Sequence, residues 1–170
     1  MKTKLEFKIY KKEPVYTGDS GDLEEDLKNN KFRGSFFYGQ GIVKSENQKL
    51  EFYDEFLFVN LENLLNMAEN VLKNEETNLN FLGNFNFRWY IKPDKEKVII
   101  NLIENGKQEP KEEASFDKVE FIEATIQAGE ELIGYLLSVN PNLKTNIEIK
   151  RFIDSLEKAK KALREAQKYE

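Results

Sequence analysis

The chain contains no cysteine and no histidine. Those two absences remove disulfides, thiol nucleophiles, Cys/His zinc sites, haem ligation through either residue, Ser-His-Asp triads and any imidazole general base. There is no run of about 18 apolar residues, the length a membrane-spanning helix needs. The first ten residues alternate charge with hydrophobe and do not form the apolar stretch of a signal peptide. A cytoplasmic location without membrane attachment is the resulting expectation. Positive charge is in deficit, with 26 Lys and Arg against 31 Asp and Glu and a net charge of −5. That balance disfavours direct binding of nucleic acid or of an anionic bilayer, both of which need phosphates neutralised. At 170 residues, folding removes roughly 70% of the unfolded surface from water, enough for a core without staples. One domain over 1–170 is expected.

Hydrophobic periodicity outlines that domain as strand-rich over 1–59, a helix over 60–73, a hairpin over 79–104 and a helical end over 115–168. Leu5, Phe7 and Ile9 alternate with polar residues, the period of a half-buried strand. Residues 17–30, with Gly18, Gly21 and several Asp and Ser, read as a long acidic surface loop with at most one helical turn. Residues 32–43 are aromatic but interrupted by Gly34, Gly39 and Gly41, so a strand with a bulge fits. Asn60 is a suitable N-cap for a helix whose stripe is Leu61, Leu64, Leu65, Ala68, Val71 and Leu72. Phe85, Phe87 and Trp89 alternate on one expected core face, and the segment Lys92-Pro93-Asp94-Lys95 turns into a second β-rich run. Ser115 as N-cap opens a helix that Asn140-Pro141 stops. Thr145 with Glu148 matches a capping box for the last helix. The fold class is α+β: an antiparallel sheet of about four to five strands packed mainly on one side by about three helices.

Chemistry-bearing patterns are few. Asp94 with Glu109-Pro110-Lys111 imitates the acid pair and lysine of metal-dependent nucleases. Its residues fall on a hairpin tip and a proline-containing loop, where a rigid cleft is absent. Gly39-Gln40-Gly41 lacks the third glycine and the following helix of a dinucleotide fingerprint. Glu130-Glu131 belongs to a solvated helix edge. No catalytic residue, metal site or cofactor is therefore expected. What remains is acidic and aromatic surface. Acids cluster at Asp19, Asp22, Glu24, Glu25 and Asp26, at Glu51, Asp54 and Glu55, and at Glu75 and Glu76. Phe36-Phe37-Tyr38 in a strand must show a ring to the outer face. The first two acidic clusters and Phe37 make up the expected contact surface, a ring as anchor beside charge that steers a basic protein partner.

The order of elements resembles that of small cytosolic immunity proteins of bacterial polymorphic-toxin and contact-dependent inhibition systems. The resembling stretch covers 56–163: the leucine-rich helix over 61–72, the run Phe85-Asn86-Phe87-Arg88-Trp89, a charged hairpin, and a long helix ending in Asn140-Pro141-Asn142-Leu143 before a last helix. The resemblance implies a non-enzymatic inhibitor that occludes a cognate toxin, with binding residues that do not transfer between members. The expected partner is a basic toxin or a nucleic-acid-processing enzyme. A phage-type or regulatory inhibitor of a defence or nucleic-acid enzyme is the alternative, and a carboxylate-metal hydrolase ranks below both.

Overall fold

The computed structural model describes residues 2–169, with Asp54 described by its backbone alone. Strands β1 (Lys4–Ile9), β2 (Tyr38–Lys44) and β3 (Lys49–Phe56) form one antiparallel sheet in the order β1-β2-β3. Strands β4 (Thr77–Asn80), β5 (Phe87–Asp94), β6 (Lys97–Glu104) and β7 (Glu112–Asp117) form a second, in chain order. Helices α1 (Leu23–Lys28), α2 (Leu57–Leu72), α3 (Lys118–Val139) and α4 (Ile147–Gln167) complete an α+β fold. The antiparallel strands expected in one sheet are thus divided between two, of three and four strands among the described residues.

Alternation decides which face of each strand is dry. Leu5, Val43, Leu50 and Phe52 are buried from the first sheet, and Leu79, Trp89, Ile91, Val98, Ile100, Ala114 and Phe116 from the second. Both sheets offer these rows to α2 and α3, and α4 packs on α2 and α3. A cluster of rings joins the layers: Phe58 lies 5.0 Å from Phe32 and 4.7 Å from Phe152, centroid to centroid. Phe37, 6.4 Å from Phe58 and 5.7 Å from Phe32, belongs to this cluster and is 0% exposed. Its expected exposure is corrected for a local reason. Gly34–Phe36 is a 3-10 turn and the strand starts only at Tyr38, so alternation does not reach Phe37.

Several element ends move because side chains are used differently. The helix expected at Asn60 begins at Leu57, directly out of β3, and Asn60 turns inward to a buried carboxylate. Residues 112–117, expected as the end of a loop and the first turn of a helix capped by Ser115, form β7. The cap of α3 is Asp117, whose Oδ1 accepts the Glu120 N–H at 3.0 Å. Asn146, not Thr145, caps α4 by accepting the Glu148 N–H at 2.8 Å. Glu148, freed from a reciprocal box, accepts the Gly34 N–H at 3.1 Å. The bulge expected near Gly39 is present, as a register shift between Gly39 and Gly41.

The acidic segment expected as a loop carries α1, capped by Asp22, whose Oδ1 accepts the Glu24 N–H at 3.0 Å. Beneath it the Tyr16 hydroxyl donates to Asp26 Oδ2 at 2.5 Å, and the Ser20 N–H donates to Oδ1 at 3.1 Å. Burial pushes the Tyr16 phenol well above its ordinary range, and donation to Asp26 pushes it further. For Asp26, burial raises the carboxyl, but the donors Tyr16 and Ser20 with the nearby Lys31 charge outweigh it and hold the group below its usual value. A depressed folded value means that the contribution of Asp26 is complete above its unfolded value of about 4 and is lost as pH falls through the folded value. Tyr16→Phe removes the hydroxyl donor, and a hydrogen bond to a charged group contributes about 1.5–3 kcal/mol. In urea unfolding followed across pH, the destabilisation by Tyr16→Phe should be full at pH 7 and shrink below about pH 4. A difference constant with pH would contradict this role.

Candidate functional site

Two polar ties link the sheets beside the packing of Phe52 on Phe81 and Trp89. At one, Gln48 in the β2–β3 turn accepts the Ser115 N–H of β7 on Oε1 at 3.1 Å. At the other, Glu55 near the end of β3 reaches the loop joining β4 to β5. Between these ties β3 and β7 are both sheet edges and do not pair with each other. The gap is a slot of about 550 Å³. Phe52, Phe81, Phe87 and Leu102 supply its apolar surface, and Glu51, Glu55, Lys111 and Glu112 its charge.

Glu55 sets this geometry. Its side chain is 0% exposed, yet it bonds to neutral donors alone among the described residues. Asn60 Nδ2 and the Gly83 N–H each donate to Oε1 at 3.0 Å, and the Asn84 N–H donates to Oε2 at 2.6 Å. A buried carboxylate without partners costs several kcal/mol, so the 83–84 backbone is pinned against the β3–α2 junction. The same loop is tied from the other side, where Asn105 Nδ2 donates to the Phe85 carbonyl at 2.9 Å. Held at both ends, the loop presents Leu82 at 54% exposure and Phe85 at 75%. Tyr53 across the slot is 54% exposed, its hydroxyl donating to Glu51 Oε2 at 2.8 Å. That donation holds the phenol of Tyr53 above its ordinary range.

The apolar floor is the core running out past its cover. Phe87 continues the inward row of Trp89 and Ile91, and Leu102 continues that of Val98 and Ile100. Trp89 and Ile100 are 0% exposed whereas Phe87 and Leu102 are only half-buried. The ammonium of Lys111 stands 5.1 Å from the Phe87 ring centre, a cation–π placement on an open aromatic face.

The expected contact residues are distributed differently. Asp26, Glu55 and Phe37 are 1%, 0% and 0% exposed and offer no surface: each is consumed by an internal hydrogen bond or ring contact. Of the other acids around α1, Asp19 lies 3.8 Å from Lys31, and the half-buried Asp22 lies 3.8 Å from Lys12. Glu24 lies 3.6 Å from Lys11 and accepts the Tyr135 hydroxyl at 3.0 Å. Glu25 is exposed and unpaired among the described residues. The cap around α1 therefore neutralises much of its own charge. Glu51 stands at the slot; the side chain of Asp54 lies outside the described residues. Tyr53, Leu82, Phe85, Leu102 and Glu112 were missed. The sequence signal for the loop was Leu82-Gly83-Asn84-Phe85, two large apolar residues around a Gly-Asn turn where polar residues are usual.

The nuclease-like acids do not assemble. Asp94 and Glu109 fall beyond opposite ends of the eight-residue β6, roughly 3.3 Å per residue apart along it. Among the described residues no group of three or more acids is placed to hold a metal ion, and no helix is long and apolar enough to cross a membrane. Comparison with known protein families, curated protein sequences and solved structures returns no match.

Glu55→Gln places an amide group opposite backbone N–H donors and strands at least one of them. Each stranded buried group costs about 1–3 kcal/mol. The expected outcome is a lower melting temperature together with faster amide exchange at Gly83 and Asn84. Unchanged exchange at those two amides would show that Glu55 does not pin the loop.

Proposed function

We propose that this chain is a non-enzymatic cytoplasmic inhibitor of the immunity-protein kind, which neutralises a cognate bacterial toxin by occluding it. The observation that carries this reading is an acidic slot lined by Tyr53 and by Gly83-Asn84, whose pinned loop exposes Leu82 and Phe85. Exposing large apolar side chains on a fixed loop is costly in solubility for a protein with nothing to cover them. Their backbone is fixed beforehand by Glu55 and Asn105, so little ordering entropy is lost on binding. Aromatic anchors with carboxylates beside them are the combination that gives hot-spot energy and selects a basic counterpart.

Glu51 lines the slot and would meet the partner there, and the acids of the α1 cap would contribute long-range steering. The buried Asp26, Glu55 and Phe37 act only by holding the scaffold. Inhibition requires no transformation of a substrate, which agrees with a chain that has neither thiol nor imidazole.

The test pairs this chain with the carboxy-terminal domain of a secreted protein encoded in the adjacent reading frame, co-expressed in a sensitive host. Growth should be restored, and the two chains should co-purify. Phe85→Asp combined with Tyr53→Ser should abolish rescue while the circular dichroism spectrum stays unchanged, because both side chains are exposed. A hot-spot loss of about 2 kcal/mol corresponds to a roughly thirtyfold weaker complex. Full rescue by the double variant, or no binding between the two chains, would refute the proposal.

A further inference from the structure

We infer that Asn105 is a modification site: in the free chain it converts spontaneously to aspartate or isoaspartate, and the conversion releases the loop that carries Leu82 and Phe85. The chemistry belongs to the chain itself, and only its effect on a partner rests on the binding reading above. Three observations carry it.

The first is the nucleophile. Asn105-Gly106 is the only Asn-Gly pair in the chain, and it forms the tip of a turn that the Lys107 N–H closes on the Glu104 carbonyl at 3.0 Å. Gly106 has φ +87° and open space where a side chain would stand, so nothing on that side shields its peptide nitrogen. Its N–H makes no hydrogen bond among the described residues. Once that nitrogen gives its proton to hydroxide, it can attack Asn105 Cγ. The N–Cγ bond forms, the Cγ–Nδ2 bond breaks, and Nδ2 leaves as ammonia. Water then opens the resulting succinimide at either carbonyl, giving aspartate or isoaspartate. The net change is hydrolysis of one amide, with nothing oxidised or reduced.

The second is the receiving cation. Arg88 donates from Nη1 to Asn105 Oδ1 at 3.0 Å and from Nε to Asn78 Oδ1 at 3.2 Å. Among the described residues it pairs with no carboxylate. A carboxylate made at position 105 turns a bond to a neutral amide into one between two charges, so the fold accepts the product. The third is the tie that is lost. Asn105 Nδ2 donates to the Phe85 carbonyl at 2.9 Å, and the Asn105 N–H donates to the Asn86 carbonyl at 2.7 Å. Both products lack the Nδ2 donor and set an anion against the Phe85 oxygen. Isoaspartate also routes the backbone through an added methylene, which opens the 104–107 turn. While Arg88 and Phe85 hold the amide, Cγ is kept from the Gly106 nitrogen. Conversion therefore waits on opening of the loop, and a partner that grips Leu82 and Phe85 slows it.

The test incubates the full chain, free of partner, in mildly alkaline buffer and follows it by peptide mapping in a mass spectrometer, with enzymatic methylation of isoaspartate as a second readout. Deamidation should concentrate at position 105 and leave the other asparagines intact. It should run roughly tenfold faster in urea, where both bonds to the amide are broken. The aged chain should keep its circular dichroism spectrum. Amide exchange at positions 87 and 105 should rise roughly tenfold, and exchange at Gly83 and Asn84, which Glu55 holds, should rise less. Asn105→Asp stands in for one product and should show the same exchange pattern. Its effect on the melting temperature should be larger in an Arg88→Gln background, where the new carboxylate has no cation.

Deamidation absent at 105, or spread evenly over several asparagines, would overturn the assignment. So would conversion as fast in the folded chain as in urea, or an aged chain whose exchange at 87 and 105 matches that of the fresh one. An equal effect of Asn105→Asp with and without Arg88 would remove the part given to that cation. A fresh chain that binds no toxin would refute the inhibitor reading and leave this site standing, whereas a toxin-binding chain stable at Asn105 would do the reverse.

Discussion

A carboxylate withdrawn from water must be met by donors, and Glu55 is met by three from two separate parts of the chain. Its place at the junction of β3 and α2 draws Asn60 inward and the 83–84 backbone across. The second sheet is thereby held against the end of β3 without pairing to it along its length. The slot, the fixed loop and the displaced start of α2 are consequences of that single buried group. An apolar replacement of similar volume would relieve its desolvation cost, but it would offer nothing to the two backbone N–H groups of the loop.

The slot is apolar because the strands outrun the helices. Burial of each inward row is complete where α2 and α3 lie over it and fades at Phe87 and Leu102. Each half-buried residue of this kind forfeits part of the roughly 1.5–3 kcal/mol that full burial contributes. A partner bound there would restore that loss, which is what links the fold's unfinished edge to its proposed use. The α1 cap is more fully paired: acids there sit beside Lys11, Lys12 and Lys31, as Glu51 sits beside Lys49, and exposed pairs of that sort contribute little energy in either direction.

The long amphipathic stripes were legible in the sequence. The helix carrying Leu61 to Leu72, the helix ended by Asn140-Pro141 and the last helix all occur, as does the hairpin of β5 and β6. Periodicity is a property of whole faces and survives small errors at the ends. Partners of single polar residues are not periodic. Nothing local distinguishes Glu55 and Asp26, which are buried, from Glu51 and Glu25, which are not. Alternation also misled where the chain leaves the strand: Phe85 was extrapolated from Phe87 and Trp89, but β5 begins at Phe87. Only Ala114 and Phe116 face inward from β7, too short an apolar signal beside a helix start.

The most direct test of the account is an amide-exchange footprint of this chain with the toxin domain proposed as its partner. Protection over 49–55, 81–87 and 112–115, with 19–28 unchanged, is the expected result. Protection over 19–28 with the slot residues exchanging as in the free chain would contradict it.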